Sequence, residues 1–236
     1  MRLAIFYNYD IYSLKALTAL VPLIAEHELA LFFSHRVGGI EMRDPRLDEL
    51  AQAETTFTNA SGQDFDALAA SAGADVIGVT AINSKDRCHL ERFKPDLVIS
   101  IRFGQIFNST TIEIPRLGII NLHSGILPQY RGVMASFWSL LNGECELGTT
   151  LHWVTDSKID SGHLISICKQ PVLQSADYMS QVLSLYDAGV DQIVKAIEDI
   201  EKLAVQEKPD LPSGSYYSFP TKTDLDNFEA QGWRLL

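Results

Sequence analysis

Long apolar runs and cysteine are both scarce in this chain. No uninterrupted apolar stretch approaches the roughly 20 residues that a transmembrane helix needs. Met1-Arg2 leads directly into a strand-like run instead of a signal peptide. Cys88, Cys145 and Cys168 are widely spaced and form no Cys-x-x-Cys pair, so neither a disulfide framework nor a zinc site is predicted. We therefore expect a cytoplasmic, soluble protein without a metal centre.

Basic charge is also scarce, and a glycine-rich dinucleotide loop is absent. The 236 residues include 19 Lys and Arg against 30 Asp and Glu, a formal net charge of −11. Clustered Lys and Arg dominate binding to a nucleic-acid backbone, so nucleic acid is not expected as the main partner, although a local basic pocket stays open. The first loop, Asn8-Tyr9-Asp10, contains no glycine, which argues against a nicotinamide cofactor.

Strand-like and helix-like patterns alternate along the first half of the chain, which is typical of an α/β protein with a parallel sheet. The stretch 96–101 is the most strand-like in the protein and should be central. Val37-Gly38-Gly39-Ile40 is predicted as a turn, with a phosphate cradle as the alternative. Strands are predicted at 2–7, 28–34, 75–79, 96–101 and 117–120, and helices at 10–26, 45–53, 65–72, 88–93, 109–114 (capped by Ser109) and 135–143.

The second half departs from this alternation. Residues 148–155 and 163–167 have strand character with only a short polar loop between them, so we expect antiparallel strands late in an otherwise parallel sheet. A long amphipathic helix is predicted at 178–203. A linker-like stretch at 208–214 then precedes an aromatic segment. The sequence predicts a domain at residues 1–204 and a carboxyl-terminal arm at 205–236 folded onto it.

The candidate reactive residues are concentrated in the stretch from Asn121 to Gly132. Side chains alternate along a strand, so Asn121 and His123 should leave the strand end pointing the same way. Ser124-Gly125 then breaks the strand. The loop created lies at the carboxyl end of a strand, where open α/β sheets place their ligands.

Four motifs carry a family resemblance: Asn121-Leu122-His123, Leu127-Pro128, Tyr130-Arg131-Gly132 and Ile159-Asp160-Ser161-Gly162. With them, residues 2–167 resemble the formyltransferase family that uses 10-formyltetrahydrofolate. The resemblance implies a Rossmann-like mixed sheet with helices on both faces, 10-formyltetrahydrofolate as co-substrate and no metal.

One departure from the family pattern bears on the acceptor. Glycinamide ribonucleotide and methionyl-tRNA formyltransferases usually carry His-Pro-Ser after the asparagine, whereas this chain has His123-Ser124-Gly125. With Arg102-Phe103-Gly104 upstream and Gly132-Val133-Met134-Ala135 downstream, the chain looks more like the branch that formylates amino sugars carried on nucleotides.

Three residues are candidates for the chemistry. Formyl transfer to an amine needs a donor for the developing oxyanion, a polarising or proton-transferring group, and a carboxylate. Asn121 would supply an amide donor, His123 could donate to the same oxyanion, and Asp160 would orient His123 or relay the proton. Alternatively, Asn121 caps a turn and Asp160 forms an Asx turn. His152 and His163 are predicted to be structural or surface residues.

The resemblance also implies binding residues for both substrates. The folate pterin would be held largely by backbone groups of two loops, 102–106 and 154–160. The acceptor would approach from the Ser124 to Arg131 side, although a packing role for Tyr130 and a plain salt bridge for Arg131 stay open. The folate candidates are Arg102, Phe103, Gly104, Ile106, Thr155 and Asp156, and the acceptor candidates are Ser124, Gly125, Tyr130 and Arg131.

Three function classes compete. The first is N-formylation of a small-molecule amine, an amino-deoxy sugar linked to a nucleoside diphosphate. Methionyl-tRNA formylation is disfavoured by the acidic charge and by an arm too short for an RNA-binding barrel. A non-catalytic folate- or nucleotide-binding regulator is disfavoured because binding alone would not need Asn121, His123 and Asp160 together. The sequence leaves open whether the chain forms a homodimer.

Overall fold

The computed structural model describes residues 1–35, 44–62, 64–206 and 210–236. The predicted turn at Val37-Gly38-Gly39-Ile40 and the linker residues Lys208 and Pro209 lie outside the described residues. The strands are β1 (Arg2–Asn8), β2 (Glu28–Ser34), β3 (Asp75–Gly78), β4 (Leu97–Ile101), β5 (Gly118–His123), β6 (Arg131–Gly132), β7 (Glu146–Val154), β8 (Leu164–Pro171) and β9 (Tyr216–Tyr217). The helices are α1 (Ile11–Leu23), α2 (Pro45–Ala60), α3 (Phe65–Ser71), α4 (Arg87–Phe93), α5 (Ser109–Ile112), α6 (Ala135–Leu141), α7 (Tyr178–Ser184), α8 (Tyr186–Glu198), α9 (Ile200–Val205) and α10 (Lys222–Ala230).

Seven strands from the described part of the chain form one mixed sheet in the order β3-β2-β1-β4-β5-β7-β8. The pairs from β3 to β5 are parallel, whereas β7 runs antiparallel to both β5 and β8. The predicted Rossmann-like mixed sheet is therefore confirmed, with β4 at its centre. Strand order reverses between β1 and β4, and the crevice at their carboxyl ends is the kind of switch point where open α/β sheets bind ligands.

The sheet is buried on both faces. Leu3, Ile5 and Tyr7 of β1 belong to one hydrophobic cluster, and Ala4 and Phe6 belong to a second cluster on the opposite face. Helices α1, α6, α7 and α8 contribute to the first cluster, and α4 and α5 to the second. Because both faces are covered, the strands are nearly continuous apolar runs, which is why the sequence located them well.

Helix bounds differ from the sequence prediction at α2 and α5. The prediction ended α2 at residue 53, shortly before three threonines, and threonine has a reduced helix propensity. In the structure Thr55, Thr56 and Thr58 lie in α2, and each hydroxyl donates to the carbonyl four residues earlier, at 2.7 to 3.0 Å. The cap of α5 is Asn108 instead of Ser109, since its Oδ1 accepts from Thr111 N at 3.0 Å.

The long helix predicted at 178–203 is divided into α7, α8 and α9, with breaks at Leu185 and Asp199. At the first break Leu185 N donates to Val182 O at 3.1 Å, an i to i−3 bond of the kind that tightens a helical turn. Among the described residues, no helix is long and apolar enough to cross a bilayer.

The carboxyl-terminal residues 210–236 contain two elements that the sequence did not predict. Strand β9 pairs with β6 in parallel. Helix α10 begins at a capping box formed by Thr221 and Asp224 and buries Leu225 and Phe228. The Phe228 ring stacks on Phe137 of α6, with centroids 4.4 Å apart. The domain boundary near residue 204 stays a prediction.

Candidate active site

Strand β5 delivers Asn121 and His123 to the carboxyl-terminal edge of the sheet. The residue between them, Leu122, packs into the cluster that contains α1 and α8, so Asn121 and His123 lie on the other face. The antiparallel pairing with β7 places His152 opposite Asn121, and Thr150 opposite His123. The edge of β5 therefore presents an amide and an imidazole side by side, with a second imidazole across the ladder.

Asp160 lies between the two histidines. Its Oδ2 is 3.4 Å from His123 Nδ1, its Oδ1 is 3.6 Å from His152 Nε2, and Gly132 N donates to Oδ2 at 2.8 Å. Burial alone would raise the pKa of this carboxyl, but the nearby imidazoles and the Gly132 N–H outweigh burial and lower the pKa to about 2. Asp160 is therefore a carboxylate throughout the physiological pH range.

The acceptors around the two rings assign the hydrogens. A carbonyl oxygen can only accept, so His152 Nδ1, 3.0 Å from Trp153 O, carries a hydrogen, and Nε2 accepts from Asn121 Nδ2 at 3.1 Å. His123 Nε2 lies 2.7 Å from Tyr130 O, while its Nδ1 faces Asp160. Both nitrogens of His123 thus face oxygen atoms.

His152 is the site residue that the sequence interpretation missed. It was expected to be structural or at the surface, but it is 2% exposed and contacts both Asn121 and Asp160. Its position follows from the β5–β7 register, which strand patterns alone do not reveal. By fixing one N–H of Asn121, His152 sets the direction of the carboxamide, whose second N–H has no partner among the described residues.

The first of the two predicted folate loops begins at an arginine that is engaged by the scaffold. Arg102 Nε donates to Asp10 Oδ2 at 2.8 Å, and its guanidinium lies 4.3 Å from the centroid of the Tyr12 ring. Burial opposes the charge, but Asp10 outweighs it and raises the pKa of Arg102 further above its ordinary value. Arg102 also has φ +56. It can therefore offer a ligand its backbone, whereas its side chain is already paired.

Ring contacts and one hydrogen bond hold the rest of this loop in place. Phe103 packs edge-on against Phe6 and stacks on Phe107. Asn83 Nδ2 donates to Ile106 O at 2.6 Å, while the Ile106 side chain is 50% exposed. Together with Gly104, the loop presents backbone and one apolar side chain to solvent, which is compatible with the predicted pterin contact. That contact stays a prediction.

The second predicted folate loop is a tight turn. Thr155 is exposed, and Asp156 Oδ1 accepts from Lys158 N at 2.8 Å and from Ser161 Oγ at 3.3 Å. A Cβ at position 162 would collide with the Trp153 carbonyl, so Gly162 is required there. Asp160 itself has φ +50, an uncommon conformation for a residue with a side chain. The turn therefore aims the Asp160 carboxylate inward at some cost in backbone strain.

The predicted acceptor residues lie in the loop that follows β5. A Cβ on Gly125 would collide with Ala135 and lie 2.7 Å from His123 Nε2, which explains why glycine and no larger residue follows Ser124. The Tyr130 side chain is buried, and its hydroxyl donates to Glu144 Oε1 at 2.8 Å. Arg131 donates from Nε and Nη2 to Ile159 O at 3.0 and 2.6 Å. Tyr130 thus has the packing role that was left open, and Arg131 pairs with a carbonyl; substrate contact by either stays a prediction.

The chain is similar in sequence to known proteins. The model of the Formyl transferase family matches residues 79–197, half of the chain. The methionyl-tRNA formyltransferase of Syntrophus aciditrophicus is 31% identical over 129 residues, which cover 55% of this chain and 41% of the relative. The match thus spans about two fifths of the length of that curated relative.

Solved structures of low sequence identity share the fold. The N-formyltransferase from Helicobacter canadensis in complex with folinic acid and dTDP-3-aminofucose has a TM-score of 0.62 at 18% identity, over 95% of this chain and 72% of that one. Glycinamide ribonucleotide transformylase 1 from Symbiobacterium toebii has a TM-score of 0.63 at 18% identity, over 90% and 94%. Because the family model matches residues 79–197, half of the chain, this protein belongs to the formyl transferase family.

Proposed function

We propose that this protein is an N-formyltransferase that moves the formyl group of 10-formyltetrahydrofolate to the amine of an amino-deoxy sugar linked to a nucleoside diphosphate. In this reaction the bond between the formyl carbon and N10 of the folate breaks, and a bond between that carbon and the sugar nitrogen forms. The amine loses one proton and N10 gains one. The enzyme must therefore stabilise one oxyanion and move one proton.

The observation that carries the proposal is the enclosed group of Asn121, His123 and Asp160 at the end of β5. The unpaired N–H of Asn121 can donate to the oxyanion that develops on the formyl oxygen. His123 lies next to Asn121 on the same strand, with Nδ1 3.4 Å from the Asp160 carboxylate. Asp160 can then accept the ammonium proton directly or through His123. The attacking nucleophile is the substrate amine, so no acyl-enzyme is required.

The donor assignment is supported by the two loops beside this group. All residues of 102–106 and 154–160 are at least partly exposed, so their backbone groups can meet the amide-like edge of a pterin. The Helicobacter canadensis structure contains folinic acid, a formylated reduced folate. The folate would place its formyl group between the loops, next to Asn121.

The choice of acceptor is supported by charge and by one exposed aromatic residue. A net charge of −11 works against a polyanion as large as tRNA. In the small sheet of β6 and β9, Arg131 is in register with Tyr216, whose side chain is 54% exposed. An arginine and an exposed tyrosine on paired strands supply group types that can meet a diphosphate and a nucleobase. The dTDP-3-aminofucose in the Helicobacter canadensis structure is a ligand of this class.

Methionyl-tRNA formylation is the second candidate. It is favoured by the 31% identity to the Syntrophus aciditrophicus enzyme, which exceeds the 18% identity to the sugar-nucleotide enzyme. Formylation of a charged tRNA would use the same three residues, so only the acceptor distinguishes the two candidates.

The acceptor prediction is tested with a panel of amines. We expect 10-formyltetrahydrofolate to be consumed with a 3-amino-3,6-dideoxy or 4-amino-4,6-dideoxy hexose on a nucleoside diphosphate, and mass spectrometry to find one formyl group on the sugar nitrogen. Glycinamide ribonucleotide and charged initiator tRNA should remain unmodified. Efficient formylation of the tRNA would overturn the choice of acceptor, and no transfer to any amine would overturn the proposed activity.

Asn121→Ala tests the oxyanion role. Removing one such donor typically lowers kcat by about 100-fold or more, and we expect that loss here. Binding of 5-formyltetrahydrofolate, measured by calorimetry, should stay nearly intact, because Asn121 acts on the transition state. Asn59→Ala, which changes an exposed asparagine on α2, is the matched control. Near-wild-type kcat for Asn121→Ala would remove Asn121 from the mechanism.

A further inference from the structure

The segment from Asp210 to Tyr217, here called the strap, crosses both loops of the active site. The first of these is the Asp160 loop, residues 155–163. Asp210 forms an isolated antiparallel bridge with His163, whose Nδ1 lies 2.7 Å from Asp210 Oδ1. Leu211 N donates to Gly162 O at 3.2 Å. The strap thus holds the Asp160 loop just beyond the catalytic carboxylate.

The strap then runs along the His123 loop, residues 124–133. Arg131 N donates to Ser215 O at 3.0 Å, and Val133 N donates to Tyr217 O at 2.9 Å. These bonds form the β6–β9 ladder. At Gly214 the approach is so close that a Cβ would collide with the carbonyl of Pro128. A glycine in the strap therefore allows direct contact between two backbones.

Tyr217 anchors the end of the strap. Its ring stacks on Tyr130, with centroids 5.6 Å apart, and on Trp138 of α6, at 4.9 Å. Trp138 Nε1 donates to Ser218 O at 3.0 Å, and Asn142 Nδ2 donates to the Tyr217 hydroxyl at 3.3 Å. Tyr217 thus packs between the His123 loop and α6, which is itself packed into the core.

Two bonds lead from this ladder to the reacting groups. Gly132, which is in register with Tyr217, donates its N–H to Asp160 Oδ2 at 2.8 Å. The carbonyl of Tyr130 accepts from His123 Nε2 at 2.7 Å. Both bonds come from the backbone of the His123 loop, and the strap is bonded to the backbone of that loop and of the Asp160 loop.

We propose that the strap is a positioning element, with Gly214 and Tyr217 as its positioning residues. It holds the two loops in register, so that the Asp160 carboxylate stays between His123 and His152. In enzymes a misplacement of about 1 Å can lower the rate by about 100-fold. This inference rests on the proposed function for its kinetic readout, although its structural readout is independent of activity.

The test compares two neighbouring substitutions in the strap of the full chain. Gly214→Ala adds a methyl group against the Pro128 carbonyl, and the matched control Ser213→Ala changes an exposed neighbour. For Gly214→Ala we expect kcat to fall by about 10- to 100-fold, with KM for both substrates within about twofold and a lower urea midpoint, because the added methyl group displaces backbone. Ser213→Ala should match the wild type.

A second pair of variants separates positioning from simple loss of packing. Tyr217→Ala removes both ring stacks and should reproduce the fall in kcat, whereas Tyr217→Phe keeps the stacks and should retain most of the wild-type kcat. If Gly214→Ala does not fold, the Tyr217 pair decides. A loss of stability in Tyr217→Ala with kcat unchanged would overturn the proposal, because the strap would then only hold the chain together.

Hydrogen exchange of the Gly132 amide provides a readout that needs no substrate. In Gly214→Ala this amide should exchange at least about tenfold faster than in Ser213→Ala, while amides of β4 and β5 remain protected. Unchanged protection of the Gly132 amide would overturn the positioning role of the strap, even if the enzyme is active. If the wild type transfers no formyl group, the proposed function fails, and the exchange measurement still decides for or against the strap.

Discussion

Asp160→Asn should lower kcat for formyl transfer by at least about 100-fold, with little change in the fold. The substitution keeps the size of the side chain but removes the charge that faces His123 and His152. The amide nitrogen of an asparagine cannot accept, so where it takes the place of Oδ2, Gly132 N and His123 Nδ1 both lose that acceptor. The carboxylate charge that faces the two imidazoles and the acceptor for the ammonium proton are then lost together.

The measurement is single-turnover formyl transfer, compared with 5-formyltetrahydrofolate binding by calorimetry. We expect the rate to fall while donor binding changes little. Asp191→Asn is the matched control, since it removes the same charge from an exposed position on α8. Retention of more than about half of the wild-type rate would remove Asp160 from the reaction, given the size of the effect expected for a reacting group.

The pH dependence of this site has a definite sign. The pKa of Asp160 is lowered from its ordinary 3.8 to about 2. A carboxyl with a depressed pKa in the folded state contributes stability above its unfolded pKa, and that stability is lost as the pH falls through about 4 toward 2. An acid limb in the rate profile near neutral pH therefore cannot report protonation of Asp160. It must come from another group of the site or of the substrate.

The parts of this protein that the sequence predicted well are those with a local physical signature. Strand β4 is an unbroken apolar run because both faces of the sheet are covered, and the sequence placed it correctly at the centre. The motif at Asn121 and His123 was found because a strand ends there and polar residues follow at period two. Both features depend on residues within about one element of each other.

The features that the sequence did not predict depend on the register between strands that are distant in the chain. His152 joins the site because β7 pairs with β5 in one particular alignment, and a shift of one residue would have turned it to the other face. The β6–β9 pairing involves two residues on each side, Arg131 with Tyr216 and Gly132 with Tyr217, too few for any periodic pattern. The prediction that Arg102 could meet a ligand did not include Asp10, because the two residues are 92 positions apart.

The ion pair between Asp10 and Arg102 accounts for the largest expected effect on stability. Asp10 and Arg102 lie at the carboxyl ends of β1 and β4, with side chains 5% and 19% exposed. Asp10 also accepts from Asn8 Nδ2 at 3.0 Å and caps α1 by accepting from Ser13 N at 2.8 Å. Removing the carboxylate would leave the guanidinium buried over Tyr12 without its counter-charge. The crevice between the two central strands would then hold a buried cation that has lost its ion-pair partner.

Asp10→Ala should lower the free energy of unfolding by about 3 to 5 kcal/mol, the usual cost of leaving one partner of a buried ion pair alone. Asp10→Asn keeps a good helix cap and removes only the charge, so it should lose nearly as much, because the cap contributes only about 1 kcal/mol. Asp64→Ala, which removes the cap of α3 without exposing a buried arginine, is the matched control and should lose only that smaller amount. Adding Arg102→Met to Asp10→Ala should recover part of the loss, since the unpaired charge is then gone. Urea denaturation of the four variants measures these differences, and equal losses for Asp10→Ala and Asp64→Ala would show that the ion pair contributes nothing beyond the cap.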